Sequence, residues 1–227
     1  YTESKAAVAG GVTSFMEMPN TIPNALTRDL LEDKYGIASR NSLANYSFYM
    51  GVSNTNTGDV LRVNDRRKEV CGVKIFLGSS TGNMLVDNPE TLGNIFRKTK
   101  MLIAVHCEDE ETIKNNLENY KKQFGDDIPM KYHHLIRSEE ACYISSSKAV
   151  ELAKKTGARL HIFHVSTEKE THLFRNDIPL KDKKITAEVC VHHLTFTNDD
   201  YETKGNLIKW NPAVKTEKDK SGLWEAL

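Results

Sequence analysis

The sequence predicts an α/β fold in which parallel strands alternate with helices, the pattern of a (β/α)8 barrel short of two strands. Three observations predict it. Six apolar runs of strand length recur along the 227 residues, separated by stretches with helical spacing. Most of the repeats span roughly thirty residues, as barrel units do. Several runs end in polar residues, which suits the functional face of a barrel at the C-terminal ends of its strands. A doubly wound sheet is the rival. It would carry a Gly-rich phosphate turn after its first strand, whereas here that strand runs into Met18-Pro19-Asn20-Thr21.

The elements follow in order. Residues 1–10 already read as the middle of a helix, and Gly222 to Leu227 stops inside a helical pattern. Residues 1–227 are therefore expected to be the central part of a single barrel domain, truncated at both ends. The strand-like runs are Val12–Met18, Asn45–Gly51, Gly72–Gly78, Leu102–Asp109, Leu160–Ser166 and Lys184–Cys190. Helices fit Thr27–Ala44, Pro89–Lys98, Glu110–Phe124, Ser138–Thr156 and Glu168–Asp177. The fourth has the clearest limits, with Ser138 as N-cap and Gly157 as terminator.

Composition excludes some functions. Hydrophobic residues make up 39% of the chain and the formal net charge is zero, so a strongly basic nucleic-acid binder is excluded. No apolar run approaches the ~20 residues of a membrane span. Cys71, Cys107, Cys142 and Cys190 have no pairing pattern and read as reduced core thiols of a cytoplasmic protein.

The chemistry concentrates on strand ends. Lys74 lies inside Gly72-Val73-Lys74-Ile75-Phe76-Leu77-Gly78, where a lone ammonium is costly to bury. His106 and His164 close two further runs. One Lys and two His on separate strand ends suggest a metal centre built across a parallel sheet. Lysine serves as a ligand there only after CO2 adds to its neutral amine to give a carbamate. The plainer alternatives are a lysine that snorkels or pairs with Glu17 or Glu108, and core histidines with satisfied hydrogen bonds. His161 competes with His164. The two are three residues apart and face opposite sides of a strand, so His161 reads as an outward contact to a helix.

Other polar residues read more simply. Glu108 and Asp109 either orient His106 or cap the next helix. His133, His134, His192 and His193 read as loop or supporting residues. Ser79 to Asn83 is a polar loop that lacks the Gly-Lys-Ser/Thr of a phosphate loop. Lys181–Lys184 and Lys215–Lys220 read as solvated surface. Asn20 alone would be a turn residue bonding its own backbone, and Asn211 a loop residue fixed by Pro212.

Taken in order, Met18-Pro19-Asn20-Thr21, Gly72-Val73-Lys74-Ile75-Phe76, His106-Cys107-Glu108-Asp109, His164-Val165-Ser166 and Asn211-Pro212 resemble the cyclic amidohydrolases. The long, bacterial type of dihydroorotase is the most similar branch, on Pro19-Asn20-Thr21 and on Ile136-Arg137-Ser138-Glu139-Glu140-Ala141. Glu188-Val189-Cys190-Val191-His192-His193-Leu194-Thr195 resembles another shared segment. The resemblance implies that the six strands are barrel strands two to seven. It implies Lys74, carboxylated, with His106 and His164 as ligands of two Zn²⁺ ions. It implies Asn20 and Asn211 as substrate contacts. The family's His-x-His pair, substrate-binding Arg and proton-shuttling Asp are absent here, the Asp being expected beyond Leu227, so the isolated fragment is expected to be inactive. The implied reaction interconverts N-carbamoyl-L-aspartate and L-dihydroorotate in pyrimidine synthesis. The alternatives are an allantoinase, a hydantoinase or a non-catalytic scaffold. The expected partner is a small-molecule substrate, with no nucleic acid and no membrane, in a homo-oligomer.

Overall fold

The computed structural model describes residues 2–66, 68–78 and 83–227. The chain forms two compact units. The first comprises the chain up to Phe76 and the stretch ending at Ala104, and the second comprises Val105 to Leu227 with Leu77 and Gly78.

In the first unit, α1 (Thr2–Ala9) leads to β1 (Ser14–Glu17), α2 (Arg28–Asn41), β2 (Asn45–Gly51), α3 (Thr57–Arg62), β3 (Gly72–Phe76) and α4 (Pro89–Lys98). β1 pairs with β2 and β2 with β3, all parallel, in sequence order. In that register Gly51 lies beside Lys74. Every residue of β3 is buried, as expected of a parallel strand covered on both faces. Val73, Ile75, Met50, Ile95 and Phe96 make the core here.

The helices of this unit start where the sequence places caps. The Thr27 side chain accepts from the Leu30 N–H of α2. The Asn88 side chain accepts from Glu90 and Thr91, just before the proline that opens α4. Each such cap is worth about 1 kcal/mol.

β4 (Ile103–His106) passes from the first unit into the second. In the first, the Val73 N–H donates to the Leu102 carbonyl. In the second, Leu77 N–H donates to His106 O, and Phe163 N–H to Val105 O. The second unit continues through α5 (Glu110–Phe124), α6 (His133–Ile136), α7 (Glu139–Thr156), β5 (Leu160–Ile162), α8 (Glu168–Thr171), β6 (Ile185–Ala187), α9 (Tyr201–Lys204) and α10 (Glu217–Ala226). β5 and β6 pair in parallel. α7 buries Ala141, Cys142, Ala149, Val150 and Ala153 along one face, and Gly157 terminates it in the left-handed conformation that glycine adopts at no steric cost. Among the described residues, no helix is long and apolar enough to cross a membrane.

The structure corrects several expectations. The helix expected over Glu168–Asp177 is a single turn, Glu168–Thr171. α3 was not foreseen; its six residues are too few to show a helical period. The strands of the second unit are shorter than their apolar runs, because the polar run-outs leave the sheet. The Lys215–Lys220 run is not all solvated. Lys215 and Asp219 are buried: the Lys215 ammonium donates to Ala213 O at 2.9 Å and Ser166 Oγ at 3.3 Å, and Asp219 closes a capping box with Thr216 at the start of α10. The four cysteines are free; Cys107 and Cys142 are buried, as expected of core thiols, whereas Cys71 and Cys190 are only partly buried. The loop residues 79–82 lie outside the described residues.

Candidate metal centre

Two strand ends of the second unit bring His106 and His164 together. His106 is the last residue of β4 and is buried. His164 follows β5 by two residues. His106 Nδ1 and His164 Nε2 face each other at 3.0 Å, with the rings edge to face. The other nitrogen of His106, Nε2, lies 2.9 Å from Glu108 Oε2. Its N–H donates to that carboxylate, which fixes the tautomer and leaves Nδ1 with a lone pair toward His164. With that tautomer the His164 Nε2–H donates to the His106 lone pair.

Glu108 is fully buried and anchors the arrangement from behind. Its Oε2 also accepts from the Arg137 guanidinium. Burial pushes the Glu108 carboxyl up, but the His106 hydrogen bond and the charges of His106, Arg137 and Lys215 outweigh it and hold the group below its usual range. Asp109 does the second job foreseen for this pair of acids, capping α5 through Thr112. Burial pushes its carboxyl up, but the Thr112 and Lys148 contacts outweigh that and hold it below its usual range. Gly78 passes so close to this segment that a Cβ there would lie 2.0 Å from Glu108 O.

His164 pays a backbone cost for its position. Its φ is +41°, and it is the one non-glycine residue with positive φ among the described residues. Histidine tolerates that region better than branched residues do, but the strain is of order 1–3 kcal/mol. His161, by contrast, meets the neighbouring strand rather than a helix: Nδ1 is 2.9 Å from Thr186 Oγ1 and Nε2 is 3.2 Å from Glu188 Oε2. Register explains this, since His161 and Thr186 are paired residues.

The remaining candidates are placed singly. Lys74 is in the first unit, 2% exposed; its ammonium donates to Ile75 O at 3.0 Å and lies 3.6 Å from the Phe76 ring centre. Glu17, one of its suggested partners, pairs with Lys34 at 2.9 Å. Asn20 is exposed after β1, and Asn211 is exposed in the second unit before a cis Pro212. Arg137 was seen in the sequence only as part of a motif. No signal in its neighbours marks it as the partner of Glu108, 29 residues away.

A divalent metal fits the His106–His164 pair. Two imidazole nitrogens already face one another at ligand spacing, and the outer nitrogen of His106 is held by a carboxylate, the support that metal-bound histidines usually have.

No family model matches the chain. Individual proteins do. A dihydroorotase of Pyrococcus abyssi is 33% identical over 227 residues, the whole of this chain and 47% of that protein. A dihydroorotase of Methanosphaera stadtmanae is 29% identical over 94% of this chain and 48% of its own length. The chain is a relative of the dihydroorotase-type amidohydrolases. An allantoinase of Enterococcus faecalis is also similar, 28% identical over 98% of the chain and half of the relative. Among solved structures, an L-hydantoinase (dihydropyrimidinase) from Arthrobacter aurescens superposes with TM-score 0.88 at 26% identity, over 98% of this chain and 49% of that one. The six strands are thus part of an amidohydrolase (β/α) barrel. The chain spans about half the length of the curated relatives it matches.

Proposed function

We propose that this chain is the central part of a zinc-dependent dihydroorotase acting in the cytoplasm as a homo-oligomer. In this reading His106 and His164 are metal ligands and Lys74 joins them as a carbamate. The observation that supports it most is the facing imidazole pair at 3.0 Å, backed by Glu108. Similarity along the whole of this chain to part of a dihydroorotase, at 33% identity, supports the substrate class.

The bound metal supplies a Lewis acid and a nucleophilic water at neutral pH. The chain's own residues do the rest. His106 offers Nδ1 because Glu108 holds the proton on Nε2. Arg137 keeps Glu108 ionised and in place. His164 would offer Nε2 as the neutral tautomer whose proton sits on Nδ1. Carboxylation of Lys74 takes up CO2 and releases two protons, one from the ammonium and one as the N–C bond forms, turning a cation into an anionic ligand. Asn20 and Asn211 offer amides to the substrate.

A hydantoinase or allantoinase is the second reading, favoured by the L-hydantoinase superposition. Ring opening of L-dihydroorotate, hydantoin and allantoin, assayed in parallel on the longer protein that this reading expects, separates them, with Lys74→Ala as control. Turnover of dihydroorotate alone, lost in the variant, is the expected result. Preference for hydantoin or allantoin moves the assignment to the second reading. No turnover of any of the three, despite bound metal, removes both.

A further inference from the structure

Just beyond β6, the run Cys190-Val191-His192-His193 turns back on itself. His193 N–H donates to Cys190 O at 2.9 Å and Leu194 N–H to Val191 O at 3.1 Å. The turn gathers one potential ligand atom from each of Cys190, His192 and His193, all within 4.8 Å of one another. None of the three has a part in the function proposed above.

Both imidazoles are held from outside the turn. The His192 ring stacks on Trp210 at 4.2 Å between centres, with 23° between planes. His193 is 3% exposed, and its Nε2–H donates to Pro212 O at 3.1 Å. That hydrogen bond leaves the lone pair on Nδ1, and this buried atom has no hydrogen-bond partner among the described residues. A buried acceptor without a donor is costly. A histidine whose outer N–H is tied to a backbone carbonyl and whose inner nitrogen points at nothing is the arrangement found at metal-ligating histidines.

We propose that Cys190, His192 and His193 bind a borderline-soft d10 cation of the Zn²⁺ type, with a fourth position left open. The thiol and two imidazoles match the donor preference of such an ion. Ligand atoms around a tetrahedral Zn²⁺ sit roughly 3.3–3.8 Å apart, so the group closes by up to about 1.5 Å. Burial keeps both rings neutral at physiological pH, with His193 pushed down to about 3. Burial, and then the Glu188 charge, raise the Cys190 thiol, so uptake of the ion releases one proton from sulfur. Zn²⁺ binding adds two positive charges to the site and removes that proton.

The test is Co²⁺ titration followed by electronic absorption, in the wild-type chain and in His106→Ala/His164→Ala, which lacks the other ligand pair. The expected result is a near-ultraviolet thiolate-to-cobalt band that saturates at one equivalent in the double variant and is bleached by Zn²⁺. Cys190→Ser abolishes the band, Cys107→Ser leaves it, and His193→Gln weakens binding more than about tenfold. No band in the wild type, or a band that survives Cys190→Ser, overturns the proposal. Should Cys190→Ser lose native circular dichroism, His192→Gln on the half-buried ring decides. A tenfold or greater loss of affinity upholds the site, and unchanged affinity overturns it.

Discussion

Arg137→Met removes the guanidinium that neutralises Glu108 while keeping an apolar stem in its place. The Glu108 side chain is 0% exposed and that of Arg137 16%. Breaking a buried pair from one side leaves a stranded charge and costs roughly 3–5 kcal/mol. The carboxylate keeps its 2.9 Å hydrogen bond from His106, which places the expected loss near the lower figure. About 3 kcal/mol in a chain of this size lowers the melting temperature by roughly 6–12 °C. Urea unfolding followed by circular dichroism measures it. Glu108→Gln/Arg137→Met should then recover most of the loss, because the second change removes the charge that the first left unpaired. An Arg137→Met variant within about 0.5 kcal/mol of wild type, or a double variant equal to the sum of the singles, would refute the idea that Arg137 is there to hold Glu108.

Three further outcomes follow from the packing. Ser138→Ala should cost about 1 kcal/mol by leaving the Ala141 N–H uncapped, and Ser138→Asp should cost little, as read by thermal unfolding. Gly222→Ala puts a Cβ 2.2 Å from Glu168 Cγ and 2.5 Å from its Cβ, so a loss of roughly 1–3 kcal/mol is expected; a neutral result would contradict the close approach of α10 to α8. His133, beside Trp210 O, is lowered by burial from 6.5 to about 4. Between those values the unfolded chain binds the proton and the folded one does not. Stability is therefore complete above pH 6.5 and falls toward pH 4, by up to about 3 kcal/mol. His133→Gln should flatten that dependence when unfolding at pH 7 and pH 4.5 is compared, and an unchanged slope would remove His133 as its source.

Much of this was readable from residues. The βα alternation, the limits of α4 and α5, the Ser138 cap and the Gly157 stop follow from local chemistry: a side-chain acceptor, a proline at N1, a residue free to adopt positive φ. The choice of His164 over His161 rested on its place at the C-terminal end of the run, directly before Val165-Ser166, and His164 lies 3.0 Å from His106. What could not be read depends on contacts distant in sequence. Arg137 meets Glu108 across 29 residues, and Lys215 meets Ser166 across 49, so a run of charges that looks solvated hides a buried ammonium. The partner of His161 was missed for a related reason. A strand position faces either a helix or its neighbour's side chain, and only the β5–β6 register decides which.

The positive φ at His164 sets two selections against each other. Glycine at 164 would relieve roughly 1–2 kcal/mol of backbone strain. A library sorted for thermal survival alone should therefore drift to glycine at this position. The same library sorted for retained metal should drift back to histidine, and the crossing of the two would mark position 164 as a place where this chain gives up stability for chemistry.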